Sequence, residues 1–131
     1  MSHVTKSKCP IESVNADMFC RAVTSTAQDF NLEIRYFVRD YVGKNETPCT
    51  ISILGGDIPN GIGFNFAHGS QVETVGDNWG AKVAPLWKNI EDRCFQYYNA
   101  LQAQRAMQNN GYAVDITMSK EGKVKLTCTQ Y

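Results

Sequence analysis

Between Leu32 and Val42, the side chains Leu32, Ile34, Tyr36 and Val38 alternate with Glu33, Arg35, Phe37 and Arg39. A period of two puts neighbouring residues on opposite faces of an extended chain, so this stretch predicts a strand. Cys49–Leu54, Ile62–Phe66 and Gln71–Val75 are shorter strand-like runs. Turn residues separate them, first Gly43-Lys44-Asn45-Glu46 and then Gly55-Gly56. Turn signals at that spacing predict an antiparallel meander. Ser2–Lys8 predicts an opening strand of weak apolar character, suited to a sheet edge. Cys9-Pro10 ends it, because proline removes a ladder donor. Tyr112–Met118 and Val124–Cys128 flank Ser119-Lys120-Glu121-Gly122-Lys123, which predicts a closing hairpin.

Two stretches follow the helical period instead. Ala16, Phe19, Ala22, Val23, Ala27 and Phe30 recur at steps of three and four, one apolar stripe on a helix over Ser13–Asp29. Ser13 or Asn15 is placed to cap its start, and Asn31 to stop it. Leu86, Ile90, Cys94, Tyr97, Tyr98, Leu101 and Met107 mark a longer helix over Pro85–Asn109. Proline suits its first turn and Asn109-Asn110-Gly111 its end. Its other side carries Lys88, Asp92, Gln96, Asn99, Gln102 and Arg105, a face expected to be solvated. The order β-α-β-β-β-β-α-β-β predicts a two-layer α+β fold: a mainly antiparallel sheet with two helices on one face.

Length and charge narrow the function. A chain of 131 residues fits one domain, 1–131, with enough core to stand without covalent staples. Lys plus Arg number 13 and Asp plus Glu number 13. Nonspecific nucleic-acid binding needs excess cations to release counterions, so no nucleic-acid partner is expected. No stretch approaches the roughly 20 apolar residues of a membrane helix, and no basic-then-apolar leader opens the chain. The expectation is a soluble protein. Cys9, Cys20, Cys49, Cys94 and Cys128 are odd in number and widely spaced, without a CxxC pair. That pattern predicts reduced thiols that pack as small apolar groups, in a reducing compartment.

Candidate chemistry is sparse. His3 and His68 are the only histidines, and neither has a Cys, Asp or Glu at ligand spacing, so no metal is expected. His68 beside Gly69 reads as a turn residue. Cys20 and Cys94 fall inside helices, away from the helix starts that activate thiols. Gly55-Gly56, Gly61 and Gly63 lead into strands and not into a helix, so they read as turn residues and not as a phosphate cradle. No cofactor is expected. The most suggestive segment is Gly76-Asp77-Asn78-Trp79-Gly80, a loop with one large aromatic between glycines. An exposed tryptophan there would anchor a protein partner; folded inward it would plug the core. The candidate partner-binding surface is therefore Asp77, Asn78 and Trp79, extended by Gln71 and Glu73 of the preceding strand.

Several short segments, in order, carry a resemblance. They are Met1-Ser2-His3-Val4-Thr5 with Lys6 and Lys8, Ile62-Gly63-Phe64, Asp77-Asn78-Trp79-Gly80, Tyr97-Tyr98, Asn110-Gly111-Tyr112-Ala113-Val114 and Glu121-Gly122-Lys123-Val124. Together they resemble the hypothetical chloroplast reading frame thirty-five family of plastids and cyanobacteria, a domain of unknown function. Val4 and Asn78 stand where that family commonly has aromatics. The resemblance implies a phototroph, or a virus of one, and an accessory role in the cytoplasm or plastid stroma; it implies no chemistry. The leading reading is thus a non-catalytic accessory or binding protein acting through protein–protein contacts. One alternative is a virion or assembly subunit whose meander makes the contacts. A second is a small metal- or redox-linked factor using His3, His68 or a thiol.

Overall fold

The computed structural model of the chain describes residues 5–9, 11–40, 44–77, 83–119 and 122–130. The elements are β1 (Thr5–Lys8), α1 (Ala16–Asp29), β2 (Glu33–Arg39), β3 (Glu46–Gly55), β4 (Ile58–Asn65), β5 (Glu73–Gly76), α2 (Val83–Asn109), β6 (Tyr112–Met118) and β7 (Val124–Gln130). Their order is the predicted one. The strands β2 to β5 pair successively as an antiparallel meander, and β1 closes the far side of β5, giving the sheet order β1-β5-β4-β3-β2. The weakly apolar β1 is an edge strand, as its sequence suggests.

Register places the core. Ile53 faces Ile62, Ile51 faces Phe64, and Phe64 in turn faces Thr74. Ile51, Ile53, Ile62 and Phe64 therefore share one face, and both helices pack on it. Phe19 of α1, fully buried, meets Phe64 at 5.2 Å, Phe66 at 5.0 Å and Tyr98 of α2 at 5.6 Å between ring centres, edge-on each time. Trp87, Ile90, Cys94 and Tyr98 bring α2 to the same core. The helices are tied directly where the Asn15 N–H donates to the Tyr98 hydroxyl at 2.9 Å.

Boundaries differ from the sequence expectation for identifiable reasons. α1 begins at Ala16 and not Ser13, because Val14 is held extended: its N–H donates to Ser70 O at 2.9 Å, and its carbonyl accepts from Gly69 at 2.8 Å. Asn15 is then the cap, accepting from Met18 N at 3.1 Å. β3 begins at Glu46 and not Cys49, because the Asp40 carboxylate closes the preceding turn. It accepts from Lys44 N at 3.0 Å and from Asn45 Nδ2 at 2.9 Å. Pro48 is tolerated inside β3 beside a register irregularity, where the ladder is already broken. α2 begins at Val83, which puts Pro85 in the first turn, where its missing N–H has no acceptor to forgo.

Gly61 and Gly63 are not a turn pair; both lie within β4. Gly63 is required by close approach. A Cβ there would stand 2.8 Å from Val75 Cγ1 and 2.9 Å from both Cys49 Sγ and Val38 Cγ1. Val38 and Val75 are fully buried, so this small cluster closes the sheet face away from the helices.

The last hairpin forms its own two-stranded sheet, β6-β7, instead of extending the large one. Its inner face must still be covered, and α2 covers it with a second stripe. Gln104 Nε2 donates to Val114 O at 2.9 Å, Gln96 Oε1 accepts from Val124 N at 3.3 Å, and Met107 Sδ lies 3.0 Å from Cys128 Sγ. Gln96, expected on a solvated face, therefore docks the hairpin. Met107, expected in the core, is 38% exposed beside it. All five cysteines are free.

Candidate functional site

Gly76 ends β5 with φ +145°, a conformation that favours glycine. The ring of Trp87, one turn into α2, packs against it. A Cβ on Gly76 would sit 2.7 Å from Trp87 Cη2 and 2.9 Å from Gly61 O. Just outside this contact, Ile58, Pro59, Asn60, Gly61, Asp77, Val83 and Trp87 line an open cleft of about 240 Å³. Its floor is apolar, since Ile58 and Trp87 are buried. Asn60 and the half-buried Asp77 make a polar rim.

Asp77 and Val83 both line the cleft. Asn78, Trp79 and Gly80 themselves lie outside the described residues. The other two candidates are not brought here. Gln71 is exposed at the opposite end of β5, six residues and roughly 20 Å of extended chain from Asp77, where its Nε2 donates to Cys9 O at 3.3 Å. Glu73 is half-buried in β5, opposite Lys8 on one side and Asn65 on the other. β5 is an inner strand with both backbone edges paired, so it does not extend the Asp77 surface.

The residues weighed for chemistry are taken up in structure. His68 Nδ1 accepts from Ala16 N at 3.3 Å, at the start of α1; His3 lies outside the described residues. Cys9 Sγ is 2.8 Å from Thr74 Oγ1, which donates to Glu91 Oε2 at 3.1 Å. Burial pushes the Cys94 thiol up to about 12 and raises Cys9, Cys20 and Cys49 above their usual value, so these thiols remain protonated near neutral pH. Among the described residues no group of three His, Cys, Asp or Glu side chains is placed to hold a metal, and no helix is long and apolar enough to cross a membrane.

The raised thiols have a thermodynamic consequence. Unfolded Cys94 releases its proton near pH 9, whereas the folded protein holds it to about pH 12. Above pH 9 the unfolded state binds fewer protons, so stability is fully present below that pH and declines as pH rises toward 12. Tyr97, raised from 10 to about 12 by burial and then by Asp29, acts in the same direction. The expected result is a urea midpoint that is level below about pH 8.5 and falls above it, less steeply in Cys94→Ala. A midpoint level to about pH 11 would contradict this account.

One cluster had no sequence signal. Asp29, at the end of α1, accepts from Arg93 Nη1 at 2.9 Å and from the Tyr97 hydroxyl at 2.6 Å, both on α2. The Arg93 guanidinium also lies 5.3 Å from the Phe30 ring centre. This pins the end of one helix to the middle of the other. Its two halves, Asp29-Phe30 and the i,i+4 pair Arg93 and Tyr97, are more than 60 residues apart in the chain, so only the fold reveals that they meet.

These features define a small α+β protein with an apolar surface cleft at the start of its long helix. No protein-family model, curated protein or solved structure matches the chain.

Proposed function

We propose that the protein is a non-catalytic accessory factor of a phototroph, or of a virus infecting one, and that it acts through protein–protein contacts at the Asp77 cleft. The observation that carries this reading is the cleft itself, with an apolar floor and a polar rim that includes Asp77, two residues before Trp79 in the chain. Interface anchor sites have that anatomy. Size supports it as well. At about 240 Å³ the cleft falls below the roughly 300–1,000 Å³ of small-molecule pockets and suits one or two partner side chains. The family resemblance supports the source and the accessory role, and with them the cytoplasm or plastid stroma.

The test compares tagged wild-type protein with Trp79→Ala in extracts of a cyanobacterial host. A specific partner should bind the variant roughly 30-fold more weakly, the effect of losing a hot spot of about 2 kcal/mol. Equal retention of that partner by both proteins would sink the proposal.

A second reading, an assembly or virion subunit, is favoured by one observation. Tyr36 is 65% exposed on the edge strand β2, and exposed sheet edges are templates for assembly. Mass measurement in solution separates the two readings: a large symmetric particle supports the second, a monomer the first.

A further inference from the structure

Asparagine followed by glycine is prone to spontaneous deamidation, because glycine leaves its own N–H unshielded and free to turn toward the asparagine side chain. The pair occurs at Asn60-Gly61 and at Asn110-Gly111. The fold treats the two oppositely. Asn60-Gly61 lies in β4, an inner strand between β3 and β5. Gly61 is buried, and a Cβ there would stand 3.1 Å from Leu54 Cβ and 3.3 Å from Ile53 O. Asn110-Gly111 is the exposed turn between α2 and β6. A Cβ on Gly111 would meet nothing within 4 Å.

Three bonds hold the turn. Asn110 N donates to Met107 O at 3.0 Å, Gly111 N to Gln108 O at 3.1 Å, and Asn110 Nδ2 to Ala106 O at 2.9 Å. Gly111, with φ +87°, ends the helix in the left-handed form. All three bonds belong to the last turn of a helix, the part that opens first. Once it opens, Gly111 N and Asn110 Cγ lie in one short segment and meet without any partner molecule. At Asn60 the same approach requires an inner strand to leave its neighbours.

We propose that Asn110 is a site of spontaneous deamidation whose product loosens the closing hairpin. The Gly111 amide nitrogen gives its proton to solvent and attacks Asn110 Cγ. The N–Cγ bond forms, the Cγ–Nδ2 bond breaks, and Nδ2 takes a proton from solvent and leaves as ammonia. Water then opens the cyclic imide at either of its two carbonyls, giving aspartate or isoaspartate. Water is the sole co-reactant, and no electron is transferred. The aspartate cannot donate to Ala106 O, and it places a negative charge at the negative end of α2. Isoaspartate adds a methylene to the main chain of the link, which moves β6 relative to α2 and strains the bond from Gln104 to Val114 O that docks the hairpin. The site is independent of the Asp77 cleft, which Asn110 does not line.

The test ages the full chain in warm, mildly alkaline buffer. Mass spectrometry then follows the tryptic peptides 106–120 and 45–82, which carry Asn110 and Asn60, with fragment ions placing the change. The folded chain should convert Asn110 nearly as fast as a synthetic peptide of sequence 106–120 does. Asn60 should convert at least roughly tenfold more slowly, since a paired inner strand opens far less often than a helix end. In urea the two should convert alike, and Asn110→Gln should leave 106–120 unchanged. Hydrogen exchange of Tyr112–Met118 should be faster in the aged protein and in Asn110→Asp than in fresh wild type. If Asn110 stays intact while the synthetic peptide converts, or if both asparagines convert equally in the folded chain, the site is overturned. Exchange in β6 that neither ageing nor Asn110→Asp alters overturns the effect on the hairpin.

Discussion

Phe19→Ala is expected to remove about 3–5 kcal/mol of stability, the range for deleting a fully buried aromatic ring. The site explains why the upper part of that range applies. Phe19 meets the rings of Phe64 and Phe66 on the sheet side and of Tyr98 on α2. Each edge-on pair adds roughly 0.5–1.5 kcal/mol beyond buried area. The groups around the void are constrained: Phe64 belongs to a strand paired on both sides, and the Tyr98 hydroxyl accepts from the Asn15 N–H. Collapse into the cavity is therefore limited. Against a total of roughly 5–15 kcal/mol for a native domain, the variant should be marginal. Urea denaturation checks it, and a loss below about 1.5 kcal/mol would show that Phe19 is not the anchor of α1.

Gly76→Ala is expected to cost about 3 kcal/mol or more. Two terms add: a φ of +145° is unfavourable for any residue with a Cβ, and the new atom would overlap Trp87 Cη2 and the Gly61 carbonyl. One obstacle is backbone, so relaxation must move β4 or push Trp87 out of its seat. Gly69→Ala is the control. Gly69 also has positive φ, +82°, but nothing lies within 4 Å of its Cβ position, so only the backbone penalty of about 1–2 kcal/mol applies. Displacement of Trp87 should also shift tryptophan emission to the red in the Gly76 variant alone. Equal stability of the two variants would refute the packing of Trp87 on Gly76.

The element order was legible because each element declares its period: residues 32–38 alternate, and residues 16–30 recur at three and four. What failed was local. Glu46 joins β3 because of a side chain six residues earlier, Asp40, and no propensity encodes that bond. The second stripe of α2 was obscured by its chemistry. Gln96 reads as solvated, yet with Gln104 it serves as a hydrogen-bonding strut for a hairpin whose docking partner cannot be read from its own alternation. Nothing in the predicted strand Ile62–Phe66 shows why its second residue, Gly63, must lack a side chain until Val38, Cys49 and Val75 are seen to converge on it from three strands.

The candidate site was legible in part. A tryptophan between glycines marks a segment with something to present, and Asp77, next to that segment in the chain, lines a cleft. Gln71 and Glu73 were attached to it by sequence proximity alone. Strand geometry then separates them, because residues at the two ends of a strand stand far apart in space. The floor of the cleft, Ile58 and Trp87, carries no signal beyond apolarity, the same as any core residue.

The proposed role of Trp79 as a partner anchor, and not a core side chain, stands or falls on the thermal denaturation of Trp79→Ala. The other tryptophan, Trp87, is the one that seals the core above Gly76. The expected melting temperature lies within a few degrees of wild type, as for surface substitutions that change stability by less than about 0.5 kcal/mol. A loss of about 3–5 kcal/mol, the signature of an emptied core site, would contradict it.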